Sequence, residues 1–148
     1  AEGRFLKHAI AYKQHLLKPN EKEFLELIGI ENPTGEIIIS EAKKLLALGI
    51  REILISRGDK GSMLIISSWI YESKGIEVEM KSTVGAGDSM VAALVYSEIN
   101  SHDDGKTLGM AESAGIAAVM KEGSEPCTLD EIMKIFDDVE KYIEIYVK

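Results

Sequence analysis

The chain has 148 residues, and its 25 acidic against 17 basic side chains give a formal net charge of −8. This length suits one domain, and a composition of 45% apolar and 28% charged residues excludes wholesale disorder. The acidic balance excludes broad nucleic-acid binding, which depends on neutralising phosphates, and no apolar run approaches the length of a membrane span. The single cysteine, Cys127, excludes an internal disulfide framework, so we expect a protein of the reducing cytoplasm.

Residues 2–17 begin with a charged, helix-compatible stretch and end in the short apolar pair Leu16-Leu17. A short helix is predicted next, over Glu21–Ile28. Asn20 before that helix is a favourable N-cap, and Glu23 stands at its third position, which is the spacing of a capping box. A second helix is predicted over 36–48, because apolar residues recur there at helical spacing and a glycine follows.

Three short strands are predicted in the middle of the chain. The β-branched run at 53–55 and the apolar run at 63–66 are separated by the glycine-rich segment 56–61, which predicts a hairpin. At 76–81, apolar residues alternate with charged ones, and this is the pattern of a half-exposed strand.

Three more helices are predicted after the strands. An apolar helix spans about 87–99, and a helix rich in glycine and alanine follows around 109–118, where the small side chains allow a close backbone approach. The capping box Thr128-x-x-Glu131 announces the last helix, whose apolar face is formed by Ile132, Phe136, Val139 and Ile143. Predicted helices and strands are mixed along the chain, and the sequence contains no internal repeat, so the predicted class is α/β.

The segment Gly85-Ala86-Gly87-Asp88 carries the most chemical information. Two glycines before a helix allow a tight turn that exposes successive backbone N–H groups at the positive end of the helix dipole, which is a site for a phosphate or a developing anion. A carboxylate there is repelled by phosphate, but it can take a proton from an attacking hydroxyl. An acid that merely compensates the helix dipole is the alternative interpretation of Asp88, and these four residues alone leave both open.

Two better-known phosphate-binding motifs are excluded. A dinucleotide fingerprint needs a third glycine where Met90 stands. A P-loop needs a glycine five residues before Gly105-Lys106-Thr107, where the chain has Asn100.

Three further groups of polar residues allow a ligand role beside a purely structural one. The segment 56–61 could curl around nucleotide phosphates or form an ordinary hairpin turn. Asn20 and Glu23 could order a hydrated Mg²⁺ or simply cap their helix. Lys18 could reach a phosphate or remain solvated.

The ribokinase-like (PfkB) carbohydrate kinases are the family that this sequence resembles, through three blocks in the same order. The blocks are Lys18-Pro19-Asn20-x-x-Glu23, Ser56-x-Gly58-x-x-Gly61 and Ser82-Thr83-Val84-Gly85-Ala86-Gly87-Asp88-Ser89. The last block is the one most specific to the family, and its sequence looks most like the branch that contains 1-phosphofructokinase and tagatose-6-phosphate kinase.

The resemblance implies a role for each matching residue. Asp88 would be the catalytic base, and Gly85, Ala86 and Gly87 would form the anion hole for the moving phosphoryl group. Asn20 and Glu23 would arrange Mg²⁺ through its water molecules. The implied ATP-binding residues are Lys18, Ser56, Arg57, Gly58, Asp59, Lys60, Gly61, Gly87, Asp88 and Ala114.

The implied fold is the C-terminal half of a ribokinase-like three-layer α/β/α sandwich, without the N-terminal sugar-binding half and lid. Residues 1–148 would then form one ATP-binding, base-bearing part. Arg57 departs from the apolar residue that is usual in the family. We expect a fragment that is inactive alone and that either self-associates or binds the missing half, because a divided α/β sheet leaves an unpaired edge and uncovered apolar faces.

The function implied by the resemblance is phosphoryl transfer from ATP to a hydroxyl of a sugar phosphate, of the fructose 1-phosphate or tagatose 6-phosphate type. ATP and Mg²⁺ are the implied cofactors, and no nucleic acid or membrane partner is expected. Two alternatives remain. One is a nucleotide-sensing or interaction module without catalysis, and the other is a nicotinamide-dependent oxidoreductase, against which the missing third glycine counts.

Overall fold

The computed structural model of the chain describes residues 15–123 and 125–146 and has a mixed α/β architecture. Its helices are α1 (Glu21–Ile28), α2 (Gly35–Ala47), α3 (Ala86–Ile99), α4 (Asp104–Val119) and α5 (Leu129–Val139). Its strands are β1 (Leu16–Leu17), β2 (Glu52–Ser56), β3 (Ser62–Ile65), β4 (Ile70–Ser73) and β5 (Ile143–Tyr146). They form a sheet in the order β1-β2-β3-β4-β5, in which β1 runs parallel to β2. The predicted α/β class is confirmed.

The described residues divide into two compact units, and the first has an aliphatic core. This unit contains 15–57, 63–70 and 146, and the second contains 58–62, 71–123 and 125–145. The central residues of β2 and all of β3 are buried without alternation, as expected for strands covered on both faces. The buried core of the first unit consists of Leu17, Phe24, Ile38, Ile39, Ala42, Ile50, Ile53, Ile55, Met63, Ile65 and Ile70.

In the second unit, α4 is the central helix, and its small residues permit close packing. A Cβ atom added to Gly109 would lie 2.6 Å from a ring carbon of Phe136 in α5. A Cβ atom added to Gly115 would lie 3.0 Å from Cγ of Met90 in α3. The small residues therefore allow the close backbone approach that the sequence predicts, because larger side chains at these positions would force the helices apart.

The first two helices form as the sequence predicts. Before α1, Oδ1 of Asn20 accepts the Glu23 N–H at 2.8 Å, and Oε2 of Glu23 accepts the Asn20 N–H at 2.9 Å, so the capping box is complete. The Thr34 side chain caps α2 by accepting the Ile37 N–H at 3.3 Å, and that helix ends at Ala47, within one residue of the prediction. The predicted hairpin strands are β2 and β3, which are neighbours in the sheet.

The strand predicted at 76–81 is wrong. Ile76 and Val78 are partly buried and Glu77 and Glu79 are exposed, as the alternation predicts, but 74–83 have no regular structure. The strand next to β3 is β4, which was not predicted. Alternation reports only on burial, whereas a strand also requires a neighbour whose backbone groups are unpaired.

The last predicted helix needs two corrections. The Thr128 side chain accepts the Glu131 N–H at 3.2 Å, but the Glu131 carboxylate binds Lys121 instead of completing the capping box. The helix ends at Val139, so Ile143 lies in β5 rather than on the helix face.

The first part of the predicted charged stretch, 2–14, lies outside the described residues. Leu16 and Leu17 at its end form β1. Of the helices that the structure describes, none has both the length and the apolar character needed to cross a membrane.

Candidate functional site

The N-terminus of α3 is shaped by Gly85, which occupies the N-cap position in the left-handed conformation, with φ of +83°. The Ser89 N–H donates to the Gly85 carbonyl at 2.9 Å and closes the first turn. No side chain caps this helix, in contrast to the other described helices, which are capped by Asn20, Thr34, Asp103 and Thr128. The first N–H groups of α3 are therefore open to an acceptor from outside the chain.

The loop before Gly85 is anchored to the end of α4. The Lys81 and Ser82 N–H groups both donate to the Val119 carbonyl, at 2.7 and 3.2 Å, and Oγ of Ser82 accepts the Val84 N–H at 3.1 Å. These bonds hold the approach to α3 in place, although 74–83 form no strand.

Asp88 lies in the first turn of α3, with an exposed side chain. Within the described ranges its carboxylate takes part in no hydrogen bond or ion pair. A salt bridge at Asp88 would have contradicted its predicted role as the catalytic base. In the part of the chain that is described, Asp88 forms none. The carboxylate is available to accept a proton, and N–H groups that can bind an anion lie beside it.

A cavity of about 540 Å³ opens beside Asp88 in the second unit. Gly85, Asp88 and Ser89 bring the beginning of α3 to this cavity, while Ala118 and Ile132 bring α4 and α5. The remaining lining residues are Val84, Ala92, Ala93, Tyr96, Met110, Glu125, Pro126, Cys127 and Leu129. The wall is largely apolar with a few polar groups, as is typical of a small-molecule site.

The wall of this cavity between α4 and α5 is held by Lys121. Its Nζ donates to the Glu131 carboxylate at 3.0 Å and to the Pro126 carbonyl at 3.1 Å. The hydrogen bond from Lys121 lowers the pKa of Glu131, and the same bond raises the pKa of Lys121. Burial raises the pKa of the Cys127 thiol, which makes it a poorer nucleophile at neutral pH.

The predicted nucleotide segment 56–61 crosses the boundary between the units. Ser56 and Arg57 belong to the first unit, and 58–61 belong to the second. In the second unit, Gly58–Lys60 form an exposed 3₁₀ turn, and the Gly61 N–H donates to the Gly58 carbonyl at 3.1 Å. The segment is thus an ordered turn that presents the side chains of Asp59 and Lys60 to solvent.

In the first unit, the structure brings Ser56 beside Asn20. The two residues form a parallel bridge, and the Ser56 N–H donates to the Pro19 carbonyl at 3.1 Å. Asn20 and Glu23 form the capping box described above, so the capping interpretation of these two residues is confirmed. An amide oxygen and a carboxylate are groups that can accept hydrogen bonds from metal-bound water, so the predicted indirect role toward Mg²⁺ stays a prediction. Among the described residues, no group of three His, Cys, Asp or Glu side chains could hold a metal directly.

The structure places Ala114 in the core of the second unit rather than on the cavity wall. It is fully buried with Ala93, Met110 and Phe136. Its predicted role beside the nucleotide, like the role of Lys18, stays a prediction.

Sequence reasoning missed several cavity residues, among them Ser89, Tyr96 and Cys127. Helical spacing could have found two positions, because Ala92 and Tyr96 follow Asp88 at intervals of four. No local signal identifies Cys127, since it reaches the cavity only through the packing of α5 against α4.

Comparison with known proteins gives a consistent result. A family model described as "pfkB family carbohydrate kinase" matches residues 5–131. The 1-phosphofructokinase of Haemophilus influenzae is 36% identical over 126 residues, which are 82% of this chain and 40% of that protein. The ATP-dependent 6-phosphofructokinase isozyme 2 of Escherichia coli is 28% identical over 138 residues, which are 92% of this chain and 45% of that protein.

Solved structures agree with the sequence comparison. The Escherichia coli phosphofructokinase-2 in complex with substrates and products has a TM-score of 0.86 and 28% identity, over 93% of this chain and 45% of that one. Arabidopsis thaliana ribokinase complexed with ribose and ATP has a TM-score of 0.73 and 28% identity, over 82% of this chain and 40% of that one. The predicted ribokinase-like fold is thereby confirmed, and the chain spans less than half the length of these relatives.

Proposed function

Because the chain belongs to the pfkB family of carbohydrate kinases, we propose that it takes part in phosphoryl transfer from ATP to a hydroxyl of a sugar phosphate. In this proposal residues 1–148 form the part that binds the nucleotide and carries the general base. The relatives named 1-phosphofructokinase support an acceptor of the fructose 1-phosphate type, with tagatose 6-phosphate as the second candidate.

The proposed reaction uses the two features found at the beginning of α3. The acceptor oxygen attacks the γ-phosphorus, the bond from that phosphorus to the leaving ADP oxygen breaks, and Asp88 takes the acceptor's proton. The N–H groups of Gly85, Ala86 and Gly87 donate to the phosphoryl oxygens as charge develops on them. The observation that carries this proposal is the exposed Asp88 carboxylate, which pairs with none of the described residues and lies beside a helix N-terminus without a side-chain cap.

Mg²⁺, when bound, would neutralise part of the charge on the ATP phosphates. Asn20 and Glu23 would hydrogen-bond its water molecules through the oxygens that also form the capping box. Their position at the start of α1 is fixed by those two bonds, so little conformational entropy is lost when they hold water.

Nucleotide binding tests the proposal on the chain itself. We expect titration calorimetry to show MgATP binding in about the micromolar to millimolar range typical of substrates, with no competition from NAD. The Asp88→Ala variant should bind MgATP at least as tightly, because it removes a negative charge beside the phosphates. Absence of ATP binding, or displacement of ATP by NAD, would contradict the proposed function.

An apolar stripe on α3 supports the further proposal that another polypeptide surface covers this helix. Val91, Val95 and Ile99 are 40%, 49% and 77% exposed, and their spacing places them on one side of α3. Asp88 lies at the beginning of the same side. Apolar side chains exposed in a row along one side of a helix normally pack against another surface. For the isolated chain we propose a second copy as the occupant of this stripe.

Sedimentation velocity tests this self-association. We expect the wild-type sedimentation coefficient to rise with protein concentration, and Val95→Asp to abolish the rise, because a charge in an apolar contact is unfavourable. Leu48→Asp, at a position after α2 that is 61% exposed, is the control and should behave like wild type. A wild-type chain that stays monomeric at every concentration would refute the proposal.

A further inference from the structure

Glu112 is a buried acid that the proposed reaction does not use. It lies in the middle of α4, a helix rich in glycine and alanine, and is 5% exposed. A carboxylate is unfavourable in such surroundings unless it accepts hydrogen bonds, and an aliphatic side chain would fill the space without that disadvantage. A carboxylate at this position therefore requires a hydrogen-bond donor.

One partner is Ser62, the first residue of β3. Its hydroxyl donates to Oε2 of Glu112 at 2.5 Å. Ser62 is completely buried, so water cannot replace either member of the pair. The two residues are 50 positions apart in the chain, and their bond ties the segment 58–62 to α4 inside the second unit.

Ser62 directly follows the exposed turn described above, which we call the glycine loop (residues 58–61). At the end of this loop Gly61 has φ of +86°, and a Cβ atom there would lie 1.9 Å from the Ser73 carbonyl oxygen. The end of the loop is thus held by its backbone contact with β4 and by the Ser62 hydroxyl on Glu112. Gly58, Asp59 and Lys60 themselves are exposed, so the loop depends on this anchored end.

We infer that Glu112 is a positioning residue for the glycine loop and acts through the Ser62 hydroxyl. By holding the first residue after the loop, it fixes the direction in which the loop backbone presents its N–H groups. The identity of the loop's ligand as a nucleotide phosphate rests on the proposed function, but the anchoring of the loop does not.

Amide hydrogen exchange without nucleotide tests the anchoring directly. Ser62→Ala should speed exchange in the glycine loop by at least about tenfold, because the buried hydrogen bond that holds the end of the loop is lost. Glu112→Gln keeps an acceptor oxygen and should stay within about threefold of wild type. Exchange in α5, corrected for global stability, should not change in either variant.

A double variant keeps the test decisive if loss of the Ser62 donor from the buried carboxylate prevents folding. Ser62→Ala with Glu112→Met removes the bond and the buried carboxylate together, which is close to neutral for stability when the shapes match. The glycine loop should still exchange at least about tenfold faster. Wild-type exchange in the loop of this double variant, or an equal increase throughout the second unit, would overturn the inference.

MgATP affinity is the second measurement and separates this inference from the proposed function. In the double variant we expect a weaker affinity for MgATP, with affinity close to wild type in Glu112→Gln. If wild type fails to bind MgATP, the proposed function fails, while the exchange result still decides whether Glu112 anchors the loop.

Discussion

Replacement of Asp88 by Asn should lower the rate of phosphoryl transfer by about 10²–10⁴-fold, the usual contribution of a general base. Asparagine has nearly the same shape, but its amide cannot accept the proton of the acceptor hydroxyl. The KM for ATP should change little, because the backbone N–H groups proposed to bind the phosphates remain. The loss should therefore appear almost entirely in kcat.

The assay can use a chimera, because the chain spans 40% of the Haemophilus 1-phosphofructokinase. In it this chain replaces the matching region of that relative, and turnover is measured with fructose 1-phosphate and MgATP. We expect the chimera to be active and the isolated chain to be inactive. An inactive chimera with normal folding would contradict the proposed function.

Asp130→Asn is the matched control for the Asp88 variant. Asp130 is an exposed acid in the first turn of α5, as Asp88 is in the first turn of α3. Each substitution removes a favourable interaction with a helix dipole and should cost about 0.3–1 kcal/mol of stability. If Asp88→Asn changes kcat no more than Asp130→Asn does, Asp88 is only a dipole-compensating acid, and a nucleotide-sensing role becomes the better interpretation.

Gly61→Ala should destabilise the chain by about 2–5 kcal/mol, the combined cost of left-handed backbone and of severe overpacking. The φ of +86° is unfavourable for alanine, and the added methyl group would lie 1.9 Å from the Ser73 carbonyl oxygen. Backbone atoms on both sides of this contact cannot move independently of β3 and β4. Urea unfolding, followed by circular dichroism, measures the change.

Gly58→Ala is the internal control for this prediction. Gly58 belongs to the same loop and also has positive φ, of +60°, but a Cβ atom there meets nothing within 4 Å. Only the backbone strain of about 1–2 kcal/mol should appear. If the two variants lose the same free energy of unfolding, backbone strain alone explains the loss. The contact between the added methyl group at position 61 and β4 would then be relieved without an energetic cost.

Local features of this chain were predictable because their interactions lie within one or two helical turns. The Asn20–Glu23 capping box and the bounds of α2 depend on residues three or four positions apart, and both follow the prediction. The start of α3 at Ala86 is likewise a consequence of the adjacent Gly85. The family was also recognisable at this level, since the block 82–89 is contiguous.

The mixed α/β class, the helices and the segment around Asp88 were thus determined by the sequence alone. Only the tertiary structure decided that β4 rather than 76–81 pairs with β3, that Cys127 reaches the cavity beside Asp88, and that Glu112 meets Ser62. Each of these depends on residues far apart in the chain. Such contacts depend on which backbone groups and which volumes other elements leave open, and periodicity along a single segment carries no information about that.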